Sequence, residues 1–149
     1  MEKLIEKYKG KGLRLTPQRL AILKFLEGNT RHPTAEDIFK EVKREYPTIS
    51  FATVYDTLQT LKENGGVLEI TIDPARKHYD PNTNPHHHIV CTGCNEIRDV
   101  FVNYSGILRL PSQILKEFQI LGNHVDFYGL CKDCRKGQKG GDQGGSRQI

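Results

Sequence analysis

The chain has 149 residues, room for one medium domain or two small ones, and its 36% hydrophobic and 27% charged content suits a globular protein with no bilayer-spanning run. Met1 leads directly into Glu2, Lys3, Glu6 and Lys7, with no secretory signal, which points to the cytoplasm, where four cysteines are poor candidates for structural disulfides. The net charge of +4 sits in residues 1–27, which hold seven Lys or Arg and three Glu; this suits a polyanionic partner, and equally a solvated helix face.

The first half reads as helical. Leu4, Ile5 and Tyr8 predict a short helix that stops near Gly10 and Gly12. Thr16 and Pro17 supply an N-cap and a first-turn proline for a helix over Gln18–Glu27, broken at Gly28-Asn29. Thr34 caps the next helix, with Ala35, Ile38, Phe39, Val42 and Tyr46 at helical spacing and Pro47 beyond its end. Ser50 caps another, with Phe51, Val54, Leu58 and Leu61 on one stripe and Asn64-Gly65-Gly66 closing it. Val67–Ile72 and Lys77–Asp80 predict two short strands. Helices followed by a two-stranded hairpin are the order of a winged helix-turn-helix. The Ser50–Asn64 helix turns Thr53, Asp56, Gln59 and Thr60 outward with Tyr55 on the flank, which suits phosphates and thymine methyls, or an ordinary amphipathic surface helix.

Residues 81–85, Pro-Asn-Thr-Asn-Pro, read as a hinge, after which the chain changes character. Strands are predicted over His88–Cys91, Ile97–Val102 and His124–Leu130, and a helix over Ser112–Leu121. The expected architecture is therefore α+β, with units at 1–80 and 86–135 and a Gly-rich, disordered tail over 136–149.

Two constellations carry chemistry. Cys91-x-x-Cys94 and Cys131-x-x-Cys134 account for all four cysteines, and two such turns complete a tetrahedral thiolate shell that favours structural Zn²⁺ over a redox pair or an iron–sulfur cluster. The harder set is His86-His87-His88 with Asp80 and Asp99. In a strand His86 and His88 share one face and His87 takes the other, and two imidazoles with two carboxylates fit Fe²⁺, Mn²⁺ or zinc. His32 is a further ligand or a solvated loop imidazole, and the triple histidine is also compatible with adventitious surface metal. His78 and His124 read as structural or solvent-facing, and Asp73 and Asp126 have no assigned chemistry.

Over about residues 2–135 the chain resembles the ferric uptake regulator family of metal-dependent repressors. The likeness rests on Leu15-Thr16-Pro17-Gln18-Arg19, His32-Pro33-Thr34, Ala52-Thr53-Val54-Tyr55, His86-His87-His88, Cys91-x-x-Cys94, Tyr128-Gly129-Leu130-Cys131 and Cys134. The resemblance implies a homodimer with an N-terminal winged-helix domain and a C-terminal α/β dimerisation domain with a four-cysteine zinc site, bound to AT-rich palindromic DNA. By position it assigns Cys91, Cys94, Cys131 and Cys134 to one zinc per subunit. It assigns His32, Asp80, His86, His88 and Asp99 to a regulatory Fe²⁺ or Mn²⁺, and Arg14, Arg19, Thr53 and Tyr55 to DNA.

Asp rather than Glu at 80 and 99 is similar to the peroxide-responsive branch, in which oxidation of His32 or His86 by peroxide at bound iron releases DNA; iron sensing on the same fold is the alternative. The family's additional metal site looks broken here, with Pro85, His87, Gly106 and Asn123 at its positions, and Gly66 stands where a larger apolar residue is usual. A metal-dependent hydrolase or oxygenase would need an open coordination position, a base and a substrate pocket, and no separate set of residues supplies them. A metal-storage scaffold would leave the helical half idle. The expectation is a non-enzymatic regulator with no membrane and no small organic substrate as partner.

Overall fold

The computed structural model describes residues 2–137, and the chain divides between His86 and His87 into two compact units. The expected tail over 138–149 lies outside the described residues, while Lys136 and Gly137 belong to a final helix.

The first unit contains helices α1 (Glu2–Tyr8), α2 (Pro17–Leu26), α3 (Ala35–Glu45) and α4 (Phe51–Glu63), then strands β1 (Leu68–Ile70) and β2 (His78–Asp80). The starts of α2, α3 and α4 are each set by a side chain. Thr16 accepts from the Arg19 N–H, Thr34 and Asp37 form a reciprocal capping box, and Ser50 accepts from the Thr53 N–H. Leu4, Tyr8, Ile22, Leu23, Leu26, Ile38, Val42, Val54, Leu58, Leu61 and Tyr79 close into one buried cluster. β1 and β2 pair antiparallel with Glu69 opposite Tyr79, forming the wing of a winged helix-turn-helix.

Phe51 departs from its expected inward stripe. It is exposed and sets its ring edge-on to Phe39 at 5.6 Å, while Thr57 takes a buried place by donating its hydroxyl to the Thr53 carbonyl at 2.6 Å. A Cβ on Gly66 would come 2.9 Å from Leu61 Cδ2, so the leucine fills the space that a larger residue at 66 would occupy. The wing strands are also shorter than Val67–Ile72 and Lys77–Asp80.

The second unit contains β3 (His87–Cys91), β4 (Ile97–Val100), α5 (Ser112–Glu117), β5 (Asp126–Gly129) and α6 (Lys132–Gly137). The sheet order is β4-β3-β5, with β3 antiparallel to β4 and parallel to β5. The long connection carrying α5 is what a parallel neighbour requires. α5 stops at Glu117 instead of Leu121: Phe118 is extended, the N-cap is Pro111 with no side-chain hydrogen bond, and no residue of the helix is buried, so little holds further turns. Helix α6 has no counterpart among the elements expected from the sequence.

Candidate metal centres

In the first unit, β2 pins the loop before α3. The Tyr79 N–H donates to the Pro33 carbonyl at 2.9 Å, and Thr34 bridges to His78. His32 adopts a left-handed backbone (φ 52), a conformation that non-glycine residues occupy only under constraint. The constraint is His78, whose Nδ1 lies 2.6 Å from the His32 carbonyl and whose Nε2 lies 3.1 Å from Asp73 Oδ2. Both atoms that the ring faces are acceptors, so the ring is held between the backbone of His32 and the Asp73 carboxylate. His78 and Asp73 thus acquire a role in holding His32 that their sequence context did not signal. The Asp73 carboxyl is held below the ordinary range by the hydrogen bond from His78 and by the Ala75 N–H, against the opposing effect of burial.

So held, His32 places Nε2 3.6 Å from Asp80 Oδ2, and His86 places Nε2 2.8 Å from the same oxygen. All three residues are buried. Asp80 Oδ1 accepts from the Asn82 N–H at 2.8 Å. His86 Nδ1 stands 2.7 Å from the Asn84 carbonyl, which fixes that nitrogen as a donor and turns Nε2 towards the carboxylate. A backbone carbonyl behind a histidine is the arrangement that orients an imidazole lone pair for a metal. A buried carboxylate with two imidazoles is costly to desolvate without a cation to neutralise it, so the set fits a regulatory Fe²⁺ or Mn²⁺.

In the second unit His88 lies opposite Asp99 in the antiparallel pair, with Nε2 3.6 Å from Asp99 Oδ1. His87 does not face solvent as the far side of a strand suggests. It is buried, its Nδ1 accepts from the Val125 N–H at 3.0 Å, and its ring meets Tyr104 at 4.9 Å, so it fastens the chain entering β5.

The four cysteines come from two knuckles. Cys91 ends β3, and a turn through Asn95 (φ 61) returns the chain so that the Cys91 N–H reaches the Glu96 carbonyl at 2.9 Å. Cys131 immediately precedes α6, and Cys134 lies in its first turn. The four sulfurs lie within 4.8 Å of one another, and Cys94 and Cys131 are 3.8 Å apart. Zinc–thiolate bonds of about 2.3 Å in a tetrahedron put sulfurs about 3.8 Å apart, so the set fits one Zn²⁺. A Cβ on Gly93 would fall 2.8 Å from Cys134 Sγ, so only glycine lets the two knuckles approach this closely. The Cys131 and Cys94 N–H groups hold the Cys91 thiol down to about 6, while its neighbours Cys131 and Cys91 push Cys134 up to about 12. Four thiolates in this space need a cation to coexist.

α4 exposes Tyr55, whereas Thr53 Oγ1 already meets Ser50 Oγ at 2.9 Å. Arg19 donates from its guanidinium to the Arg14 carbonyl at 3.1 Å, and Arg14 itself is exposed. Lys62 of α4 and Lys77 beside β2 both pair with Glu69, at 3.0 and 3.5 Å, fixing the wing to the helix. His124, expected to be structural or solvent-facing, lies 2.6 Å from Asp126 and 3.5 Å from His88. The signal for that contact is the register of β3 with β5, which no local pattern encodes.

The Ferric uptake regulator family profile matches residues 10–128. A peroxide-responsive repressor of Staphylococcus saprophyticus is 35% identical over 135 residues, covering 91% of each chain. The structure of a ferric uptake regulator from Francisella tularensis with iron is 31% identical with a TM-score of 0.70, covering 83% of this chain and 96% of its own. The Campylobacter jejuni peroxide stress regulator is 34% identical with a TM-score of 0.63, covering 89% and 97%.

Proposed function

The chain belongs to the ferric uptake regulator family of metal-dependent regulators, and from that premise we propose a homodimeric repressor of AT-rich palindromic operators, released by hydrogen peroxide. The regulatory set joins His32, Asp80 and His86 of the first unit to His88 and Asp99 of the second. Chain connectivity supports this, because His86 and His88 are separated by one residue. An ion shared in this way would fix one unit against the other and so set the spacing of the two α4 helices in a dimer. Arg14, Arg19, Thr53 and Tyr55 are the proposed DNA contacts, with Tyr55 an exposed aromatic side chain of α4.

The observation that carries the reading is the buried Asp80 carboxylate with imidazole nitrogens at 2.8 and 3.6 Å. Bound iron would supply the reductant for peroxide, and His32 and His86, both against Asp80, are the side chains to be oxidised. Aspartate at 80 and 99 and the peroxide-responsive relatives support this branch over iron sensing. The second copy is supported by the second unit's Phe101, Ile107, Phe118 and Leu121, large apolar side chains that a lone chain leaves exposed to water. The family's work is regulation, not turnover, and its place is with the DNA of the cytoplasm.

The test has two steps. Mn²⁺ should produce a gel shift on an AT-rich palindrome. The Fe²⁺ form, once treated with H₂O₂, should lose that shift and gain one oxygen atom on His32 or His86 by mass spectrometry. Absence of the added oxygen moves the assignment to iron sensing, and absence of any metal-dependent shift ends the repressor reading.

A further inference from the structure

β3 is the central strand of its sheet, with Asp99 of β4 opposite His88 on one side and Asp126 of β5 opposite it on the other. Register partners on adjacent strands project from the same face, so Asp99, His88 and Asp126 form a row across three strands. His124 precedes Asp126 by two residues, and its ring centroid is 5.2 Å from that of His88. The two nitrogens of His88 therefore lead in opposite directions. Nε2 lies 3.6 Å from Asp99 Oδ1, and Nδ1 lies 3.5 Å from His124 Nε2.

His124 Nε2 is also 2.6 Å from Asp126 Oδ1. One ring nitrogen thus faces an imidazole nitrogen and a carboxylate oxygen together, and a single proton serves only one of them at a time. A dication accepts a lone pair from all three. His88, His124 and Asp126 each bring one ligand atom to a group within 4.8 Å. Donor atoms about 2.1 Å from a transition metal stand roughly 3.0–3.4 Å apart in octahedral or tetrahedral geometry. The 3.5 Å separation is close to that range, and the 2.6 Å contact must open by a few tenths of an ångström.

We propose that His88 Nδ1, His124 Nε2 and Asp126 Oδ1 form an outer site for a transition-metal dication such as Zn²⁺ or Co²⁺. Two nitrogens and one oxygen are the borderline set that these ions prefer, and water completes the shell. The His124 and Asp126 side chains are 48% and 33% exposed, so the ion exchanges with solvent more freely than one held at the buried Asp80. This is not the family's additional site in another guise, because positions 85, 87, 106 and 123 contribute nothing to it. The outer site shares His88 with the regulatory set of the proposed repressor and takes His124 and Asp126 from outside it, with all three ligands in the second unit.

Cobalt(II) titration of the zinc-loaded full chain tests the proposal, read by visible d–d absorption and by metal analysis. Because His88 is shared with the regulatory set, the informative background is His32→Ala with Asp80→Ala, which removes ligands that the outer site does not use. That chain should still bind one cobalt beyond its zinc. Adding His124→Ala or Asp126→Asn should weaken the binding by about tenfold or more, and Asp126→Glu should restore part of it. Retained zinc in each variant shows that the second unit is folded. A background chain that binds no further cobalt, or binding indifferent to both His124 and Asp126, overturns the proposal. A neutral His88 donates one lone pair, so the residue dependence of the cobalt in the unsubstituted chain separates the two readings: it follows His32 and Asp80 if the regulatory reading holds, and His124 if that reading is the one at fault.

Discussion

In the first unit, apolar side chains from α1 to α4 and from Tyr79 of β2 close on one another until Ile22, Leu23, Leu26, Ile38, Val54, Leu58 and Leu61 lose all contact with water. In the second, the buried apolar residues among those described are Val90, Cys91 and Ile97, while Phe101, Ile107 and Leu121 are 71%, 71% and 91% exposed. One unit has the core expected of a self-sufficient domain. The other has a three-stranded sheet, four converging thiols and an apolar surface that turns outward. Its order must come from ligation more than from burial, since so small a core cannot offset the entropy of fixing its backbone.

Removing the zinc ligands is the strongest way to test that contrast. Structural zinc contributes an apparent folding free energy of about 10–16 kcal/mol in small zinc domains. Cys94→Ser, or chelation of the metal, should therefore melt β3, β4 and β5 and shift the protein towards monomer. Hydrogen exchange should show fast amides over the second unit and protected amides in α2, α3 and α4. A zinc-free chain whose β3 amides stay protected would show that the second unit has enough core after all.

The reciprocal variant is Leu58→Ala, which opens a cavity at a residue with no exposed surface. Leu→Ala substitutions in cores cost about 2–5 kcal/mol. The stability monitored by helical circular dichroism should fall by that amount, with zinc content unchanged. Loss of zinc in step with the helices would mean that the two units do not draw their stability separately.

The elements that were legible in the sequence are those whose cause is local. Thr16-Pro17, Thr34 and Ser50 each begin a helix where the chain placed them, because a cap needs only its own next three residues. The cysteine knuckles were legible for the same reason, each pair closing on one turn. The contacts that were not legible cross long stretches of chain. His78 reaches the His32 carbonyl across 46 residues, and His124 reaches His88 across 36 through a parallel strand pair. Nothing near either residue fixes a register, so each reads from sequence only as structural or solvent-facing. α5 was overextended because Phe118 and Leu121 continue an apolar pattern, although these side chains remain exposed and so cannot reward a further turn.

The Asp73–His78 clamp offers a pH-resolved test confined to the first unit. The folded Asp73 carboxyl lies below its ordinary value of 3.8 because His78 donates to it. A depressed carboxyl stabilises the fold above the unfolded value and loses that contribution as pH falls through the lower, folded one. The first unit should therefore lose stability in acid below about 3.8, and Asp73→Asn should flatten that part of the profile. At neutral pH the same substitution should cost about 1–3 kcal/mol, the usual range for losing a buried hydrogen bond to a charged group. Thermal unfolding between pH 3 and 7 checks both, and an unchanged acid slope would remove Asp73 from the account.

Tyr8 supplies the smallest effect and one of opposite sign. Its ring is buried against the core of the first unit, yet its hydroxyl has no hydrogen-bond partner among the described residues. Burial, followed by the charge of Glu27, raises its pKa above 10.0, which keeps the phenol neutral but does not satisfy it. An unsatisfied buried hydroxyl carries its desolvation cost without a return, so removing it should be neutral or favourable. Tyr8→Phe should leave the first unit as stable or raise its stability by up to about 1 kcal/mol, with the ring packing intact. The measurement is chemical denaturation followed by helical circular dichroism. A loss of more than about 1 kcal/mol would mean that the hydroxyl has a partner in the folded chain, and that the N-terminal helix is held by a polar contact as well as by the apolar packing that distinguishes this unit from its neighbour.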